Sequence, residues 1–337
     1  MYIEKSKITI EDIAEAAGCS KTTVSRALSG KGRVSPDMKR RILSYCRKLG
    51  YRPKKNGLPA ERRRTYNIAV LLPMDQELQE IPFFQQCMLG ICETAESMSY
   101  DVLVAAGGPD EMFKIRKIVN EEKADGIIVM RALMKDPRID YLTEADMPFV
   151  LIGDACGRHV MQVDDDSISA CREMVASLLG MQMKKIALIG GNEEHTVTQK
   201  RLKGFYAGFE TCHRKPDKKL IYLNCGTKAD VFAAVDEILE EYAECIVCMD
   251  DKICCQVLLK LNSLHLSIPK DIKVASLYDS FFLQSYVPDI TAVAFDEKEL
   301  GRQACEKLIN KLDKGVETKS ITSGYNIVLR GSTKCLS

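Results

Sequence analysis

Lys21, Thr22, Ser25 and Arg26 place two cations and two hydroxyls within six residues, at spacings that share one face of a helix. Such side chains hold no reactive nucleophile or acid pair, so the chemistry they offer is recognition of base edges and phosphate oxygens. The neighbouring residues supply the elements that must carry them. Ser20 is placed to N-cap a helix over Lys21 to Leu28, with Val24, Ala27 and Leu28 turned inward. Before it, Thr9 caps a first helix in a capping-box arrangement with Asp12; Ile10, Ile13, Ala14 and Ala17 share a face, and Gly18 and Cys19 make the turn. After it, Ser35 and Pro36 start a third helix whose apolar face is Ile42, Leu43, Cys46 and Leu49. Two helices across a Gly-containing turn, braced by a third, form a helix-turn-helix, whose second helix enters the major groove of DNA. The competing arrangement, a helical hairpin packed inside an enzyme, needs an apolar outward face, and this one is polar and cationic.

Charge is divided unevenly along the chain. Residues 1–65 hold 17 Lys or Arg against 6 Asp or Glu, a net of +11, while the remainder holds 31 against 41, a net of −10. A near-neutral total therefore conceals a basic end suited to nucleic acid, and phosphate binding there should be strongly salt-dependent.

The strings T-I-E-D-I-A, A-G-C-S, T-V-S-R-A-L, V-S and G-Y-R-P, running from Thr9 to Pro53 with matching internal spacing, resemble the head of the LacI/GalR family of bacterial transcriptional repressors. The resemblance implies that Lys21, Thr22 and Arg26 meet base edges, Arg26 being suited to bidentate contact with guanine. It implies that Thr9, Ser20, Thr23, Ser25, Ser29 and Arg33 hold phosphates and set register. One head covers only a short half-site, so a homodimer reading a pseudo-palindromic operator in double-stranded DNA is expected.

The next segment departs from that family. Its members commonly read P-N-x-x-A-x-x-L, a hinge helix whose leucine wedges into the minor groove. Here Lys54 replaces Asn, Gly57 replaces Ala and Ala60 stands in the Leu position, with Leu58 the nearest apolar side chain. Gly costs about 1 kcal/mol and Pro about 3 kcal/mol in a helix interior, so Gly57-Leu58-Pro59 is expected to form a tether in which Lys54 and Lys55 touch phosphates.

About 270 residues follow the head, enough for two α/β lobes. No run of 18 apolar residues and no apolar N-terminal signal segment is present, so no membrane partner is expected and the chain reads as cytoplasmic. The 14 cysteines read as small buried apolar residues. A metal site at Cys245, Cys248, Cys254 and Cys255 is disfavoured, because residues three apart on a strand point to opposite faces. His159, His195, His213 and His265 lack ligand spacing, and Asp164-Asp165-Asp166 reads as a turn into a helix, so no metal and no cofactor are expected. No phosphate-loop, nucleophile-elbow or dinucleotide-binding motif appears, which argues against an enzyme. Apolar runs at 67–72, 102–105, 126–130, 149–152, 185–189, 220–223, 245–249 and 273–276 alternate with helical periodicity, the pattern of two doubly wound parallel sheets.

By the same resemblance, this body is similar to a periplasmic sugar-binding protein, two lobes closing on a small molecule. The expected division is a helix-turn-helix domain at 1–52, a linker at 53–65 and an effector-binding and dimerisation domain at 66–337. Within it, 66–160 and 292–320 form the first lobe, and 161–291 and 321–337 the second. Arg201-Leu202-Lys203-Gly204-Phe205 resembles the family's cleft-facing R-L-x-G-F element, and Tyr278-Asp279-Ser280 its tyrosine-aspartate turn. Arg201 would offer a fork to hydroxyls or a carboxylate, and Asp279 would accept from hydroxyls or amines. Asp250 stands where the family usually has Asn, which disfavours an anionic effector unless the carboxyl is neutralised. Asp154, after Gly153, either replaces an acid found one position earlier in sugar-binding relatives or points elsewhere. Asp75, Phe83 and Phe84 resemble the first-lobe ligand wall, although core packing accounts for the two phenylalanines equally well. The resulting expectation is a DNA-binding regulator, a repressor, modulated by a sugar or related metabolite acting as inducer or corepressor. The alternative is a regulator whose lobes are a dimerisation scaffold or bind a partner protein. The tail shows no heptad pattern for a tetramer.

Overall fold

The computed structural model describes residues 9–29, 34–49, 64–73, 82–107, 112–317 and 321–334. Arg33, Lys54, Lys55, Leu58 and Asp75, and the whole expected linker up to residue 63, lie outside these described residues. The chain forms two compact units, residues 1–63 and 64–337.

The first unit contains α1 (Ile10–Ala17), α2 (Lys21–Ser29) and α3 (Pro36–Leu49). Thr9 and Asp12 close a capping box, the Thr9 N–H donating to the Asp12 carboxylate at 2.6 Å. Gly18 ends α1 at φ 62°, a left-handed conformation that only Gly adopts without penalty. Ser20 Oγ accepts from the Thr23 N–H at 3.1 Å, and Ser35 Oγ from the Met38 N–H at 3.3 Å. Ile13, Ala14, Ala17, Val24, Ala27, Ile42 and Cys46 form the small core.

The second unit begins with β1 (Asn67–Leu72), α4 (Pro82–Ser97), β2 (Asp101–Ala106), α5 (Met112–Asn120), β3 (Gly126–Val129), α6 (Pro137–Glu144), β4 (Phe149–Ile152) and β5 (Gln162–Asp165). It continues through α7 (Ser167–Gly180), β6 (Ile186–Ile189), α8 (Thr196–Thr211), β7 (Ile221–Tyr222), α9 (Lys228–Glu240), β8 (Cys245–Cys248) and α10 (Asp251–Ser263). Next come β9 (Lys273–Ser276), α11 (Phe281–Ser285), β10 (Thr291–Phe295), α12 (Glu297–Lys314), β11 (Ile321–Ser323) and β12 (Tyr325–Val328), before a short 3-10 turn at Gly331–Thr333. The first-lobe sheet has the order β11-β5-β4-β3-β1-β2, and the second β12-β10-β9-β8-β6-β7. Every pairing is parallel except β10 with β12. Strands β3, β4, β6 and β8 are buried along their whole length, as covering on both faces requires.

Two details differ from the sequence expectation. The second sheet carries an antiparallel edge strand, and each crossing between lobes falls a few residues later than expected. β5 (162–165) pairs with β4 in the first sheet, β10 (291–295) with β9 in the second, and β11 (321–323) with β5 in the first. The turn residues that end each strand, not its first polar residue, make the crossing; Asp166 caps α7 through the Ser169 N–H at 3.1 Å.

Within the first lobe α4 and α12 cross at glycines. A Cβ at Gly90 would run into the Lys298 carbonyl, and one at Gly301 into the Cys87 carbonyl, so the two backbones touch directly. We therefore expect Gly90→Ala or Gly301→Ala to lower stability by about 1–3 kcal/mol. Urea unfolding of the full chain, followed by circular dichroism, checks this; unchanged midpoints would contradict the close crossing.

Candidate functional sites: an exposed helix face and an interlobe cleft

In the first unit Lys21, Thr22, Ser25 and Arg26 are all exposed on α2, while Val24 and Ala27 are buried beneath them. Ser20 and Thr23 are hydrogen-bonded to each other at 2.9 Å at the start of the same helix. Thr9 is exposed but holds its hydroxyl on Asp12 at 2.8 Å. Lys21 is ion-paired with Glu11 across the turn, a contact between exposed side chains that contributes little to stability. The side chain of Ser29 lies outside what is described.

The cleft of the second unit opens between the carboxyl ends of the two sheets. Its cavity measures about 150 Å³ and opens to solvent at the mouth. Phe83, Phe84, Met130, Ile152, Met249, Ile253 and Leu300 give it apolar walls, with Phe83 and Phe84 edge to face at 5.3 Å. The two phenylalanines also pack into the first-lobe core, so both expected roles meet in the same rings.

Of the other expected cleft residues that are described, Arg201 and Asp250 line the cleft, and Asp154 and Asp279 do not. Arg201, on α8, is 9% exposed, lines the cleft and donates through Nη1 to the Met249 carbonyl, while its Nε has no hydrogen-bond partner among the described residues. Asp250 also lines the cleft and N-caps α10, accepting from the Ile253 N–H at 2.7 Å. Desolvation pushes its carboxyl up, against the opposing pull of the Ile253 N–H and of Arg201. Asp154 is turned into its own loop, where it accepts from the Cys156 N–H at 2.7 Å, and it is Gly153 that faces the cleft. Gly153 has φ 122°, and a Cβ there would meet Ala132 Cβ at 3.2 Å, so a side chain at this position would be strained.

Asp279 lies behind the wall. Arg330 grips it with Nη1 to Oδ1 at 2.9 Å and Nη2 to Oδ2 at 2.6 Å, and Gln284 Nε2 donates to Oδ2 at 3.1 Å. A bidentate fork from the C-terminal strand end thus occupies the carboxylate expected to meet ligand, and its neighbour Tyr278 lines the cleft instead. The Tyr278 ring stands at 6.3 Å from Phe83, bridging the lobes.

Arg131, Lys200 and Gln256, which the sequence did not single out, also line the cleft, as does His195, considered there only as a metal ligand. Their signal was positional: Arg131 follows the apolar run ending at Met130, where parallel sheets present ligand-binding residues. Lys200 Nζ reaches across to Asp164 Oδ2 at 2.5 Å and the Asp165 carbonyl at 2.7 Å. Burial holds the Asp164 carboxyl up, at about 6, despite Lys200. In the strand β8, Cys245 and Cys248 enter cores on opposite faces of the sheet, as the spacing indicated. Among the described residues no group of three or more His, Cys, Asp or Glu is arranged to hold a metal, and no helix is long and apolar enough to cross a membrane.

Behind the cleft floor, burial also pushes Asp251 up to about 6, neighbouring Asp250 adding to the effect. An acid whose folded pKa exceeds its unfolded value gives a native state that binds protons more tightly, so stability falls as pH rises from about 4 to about 6. Asp251→Asn lacks this penalty. Its stability relative to the unmodified chain should rise by about 1–3 kcal/mol between pH 4 and pH 7; parallel urea curves at the two pH values would show otherwise.

The family profile "Bacterial regulatory proteins, lacI family" matches residues 9–54, and "Periplasmic binding proteins and sugar binding domain of LacI family" matches residues 65–327. The HTH-type transcriptional regulator MalR of Streptococcus pneumoniae serotype 4 is 29% identical over 237 residues, 69% of each chain. RegA of Clostridium saccharobutylicum, also an HTH-type transcriptional regulator, is 26% identical over 312 residues, 91% of this chain and 93% of its own. Among solved structures, a transcriptional regulator CelR–cellobiose complex superimposes with TM-score 0.75 at 24% identity, covering 96% of this chain and 99% of that one. The lac repressor dimer bound to operator and the anti-inducer ONPF superimposes with TM-score 0.72 at 18% identity, covering 98% and 100%. At these identities the two superpositions speak for the fold.

Proposed function

We propose, from the premise that the chain belongs to the LacI family of bacterial regulatory proteins, that it represses transcription by sequence-specific DNA binding and that a small polar effector held between its lobes modulates operator affinity. The observation that carries this reading is the conjunction in one chain of an exposed hydrogen-bonding face on α2 and a partly apolar, partly charged cleft. Lys21, Thr22 and Arg26 read base edges, and Thr9, Ser20, Thr23 and Ser25 take phosphates. In the cleft Phe83, Phe84 and Tyr278 stack on the ligand, while Arg131, Arg201 and Asp250 fix its polar groups.

The known relatives narrow the ligand classes. One structural neighbour holds cellobiose, and another sits on its operator as a dimer. For this chain we infer a sugar or related metabolite as effector and a homodimer on a pseudo-palindromic duplex. Exposed apolar side chains support the dimer: Leu89 on α4 and Val104 on β2 in the first lobe, Leu259, Phe281 and Phe282 in the second.

Two measurements test the reading. On a duplex isolated by in vitro selection, Arg26→Ala should weaken binding by about 1–3 kcal/mol and relax one base position. Equal affinity of the unmodified chain for selected and random duplex at moderate salt would overturn the DNA reading. In thermal-shift assays against cellobiose, maltose, nucleosides and amines, at least one compound should raise the melting temperature and alter operator affinity by about 5–150-fold, with both effects lost in Arg201→Ala. Silence across the panel would favour lobes that serve as a scaffold or bind a partner protein.

A further inference from the structure

The two lobes are joined across the cleft by backbone as well as by the three crossings. After β3 the segment Arg131–Met134 runs antiparallel to Glu194–Thr196, which precedes and starts α8 in the other lobe. The Met134 N–H donates to the Glu194 carbonyl at 2.9 Å, the Thr196 N–H to the Ala132 carbonyl at 3.3 Å, and Leu133 and His195 form an isolated antiparallel bridge. Gly153 permits the approach, since a side chain there would press on Ala132.

The first-lobe half of this ladder rests on an ion pair in the interior. Arg138 is 1% exposed and Asp136 fully buried. Asp136 N-caps α6 through the Arg138 N–H at 3.0 Å and takes the Arg138 guanidinium on both oxygens, at 2.8 and 2.6 Å. The same Nη2 donates to the Arg131 carbonyl at 2.7 Å, at the residue where the cross-lobe segment begins. Burying two charges is expensive, and a pair of this kind is often no more stabilising than apolar residues of similar volume. Its geometric product is a fixed Arg131 carbonyl, with the Arg131 side chain aimed into the cleft and the next three residues presented to the opposite lobe.

We propose that Asp136 and Arg138 are positioning residues that hold the Arg131–Met134 segment in the shape that pairs with Glu194–Thr196, so that the buried pair sets how firmly the cleft is closed without touching its contents. The proposal rests on the effector-site reading for its regulatory meaning, but the closure itself is measured with no effector present, so the two fail separately.

The test is hydrogen exchange by mass spectrometry on the full-length, ligand-free chain. Met134 and Thr196 amides should be protected, and in the double variant Asp136→Asn with Arg138→Met, which keeps a capping side chain and leaves no lone buried charge, they should exchange at least about tenfold faster. The strands β1, β3 and β6 should keep their protection, and Arg138→Lys, retaining one donor toward the Arg131 carbonyl, should restore part of it at Thr196. A general loosening of the first lobe with Thr196 unchanged would reduce the pair to a structural role and overturn the proposal, as would unprotected Met134 and Thr196 amides in the unmodified chain. Should the double variant fail to fold, Thr196→Pro removes the second-lobe donor directly. Proline is accepted at that first helical position, after a residue already extended at ψ 130°. Exposure of the Met134 amide in that variant supports a cooperative ladder, and unaltered exchange there overturns it.

Discussion

Parallel strand pairing places every carboxyl end on the same edge of a sheet, and in this chain two such edges face one another. Most of what lines the cleft follows from that constraint. Met130 and Arg131 leave β3, Gly153 leaves β4, Asn192 and His195 lie beyond β6, Met249 and Asp250 leave β8, and Tyr278 follows β9. The helices that begin there add their amino ends, so Asp250 can serve α10 as a cap while its carboxyl still borders the open space. One side chain thus answers both to the helix and to the site.

The same constraint explains why charged groups gather where water is partly excluded. Arg131, Lys200, Arg201 and Lys252 face Asp164, Asp165 and Asp250 within one cleft. Desolvation disfavours every ion in such a place, and the raised carboxyls of Asp164 and Asp250 register it. Arg201 stands beside Asp250 in this cleft, with its Nε unpartnered among the described residues.

Helix caps, the alternation of apolar runs and the charge asymmetry are local properties, and they were legible in the residues. Thr9 with Asp12, Gly18, and Cys245 with Cys248 all carry their structural reason within a few positions. The destinations of Asp154 and Asp279 were not legible, because each depends on a competitor for the same carboxylate. For Asp154 the competitor is its own loop, at Cys156. For Asp279 it is Arg330, 51 residues away, on a tail whose strand runs antiparallel to the rest of its sheet. Sequence spacing identifies a carboxylate with a suitable neighbourhood; it does not say which cation reaches it first. The offsets of the crossings have a similar origin, since Asp164 and Asp165 look like a turn but pair with Thr322 and Ser323 as a strand.

Helix α12 gives these local facts a longer reach. Its first residue, Glu297, lies near the cleft residue Tyr278, and burial raises the Glu297 carboxyl. Its middle is locked to α4 by backbone contact at Gly90 and Gly301. At its far end Arg64, the first residue of the second unit, bonds Asp313 and the Leu312 carbonyl, and Tyr100 donates to Asp313 at 2.9 Å. A helix of this length is a rod of about 27 Å, and at the two glycines it meets α4 backbone to backbone. Tyr278 at the cleft and Arg64, where the second unit begins, therefore lie against opposite ends of one helix.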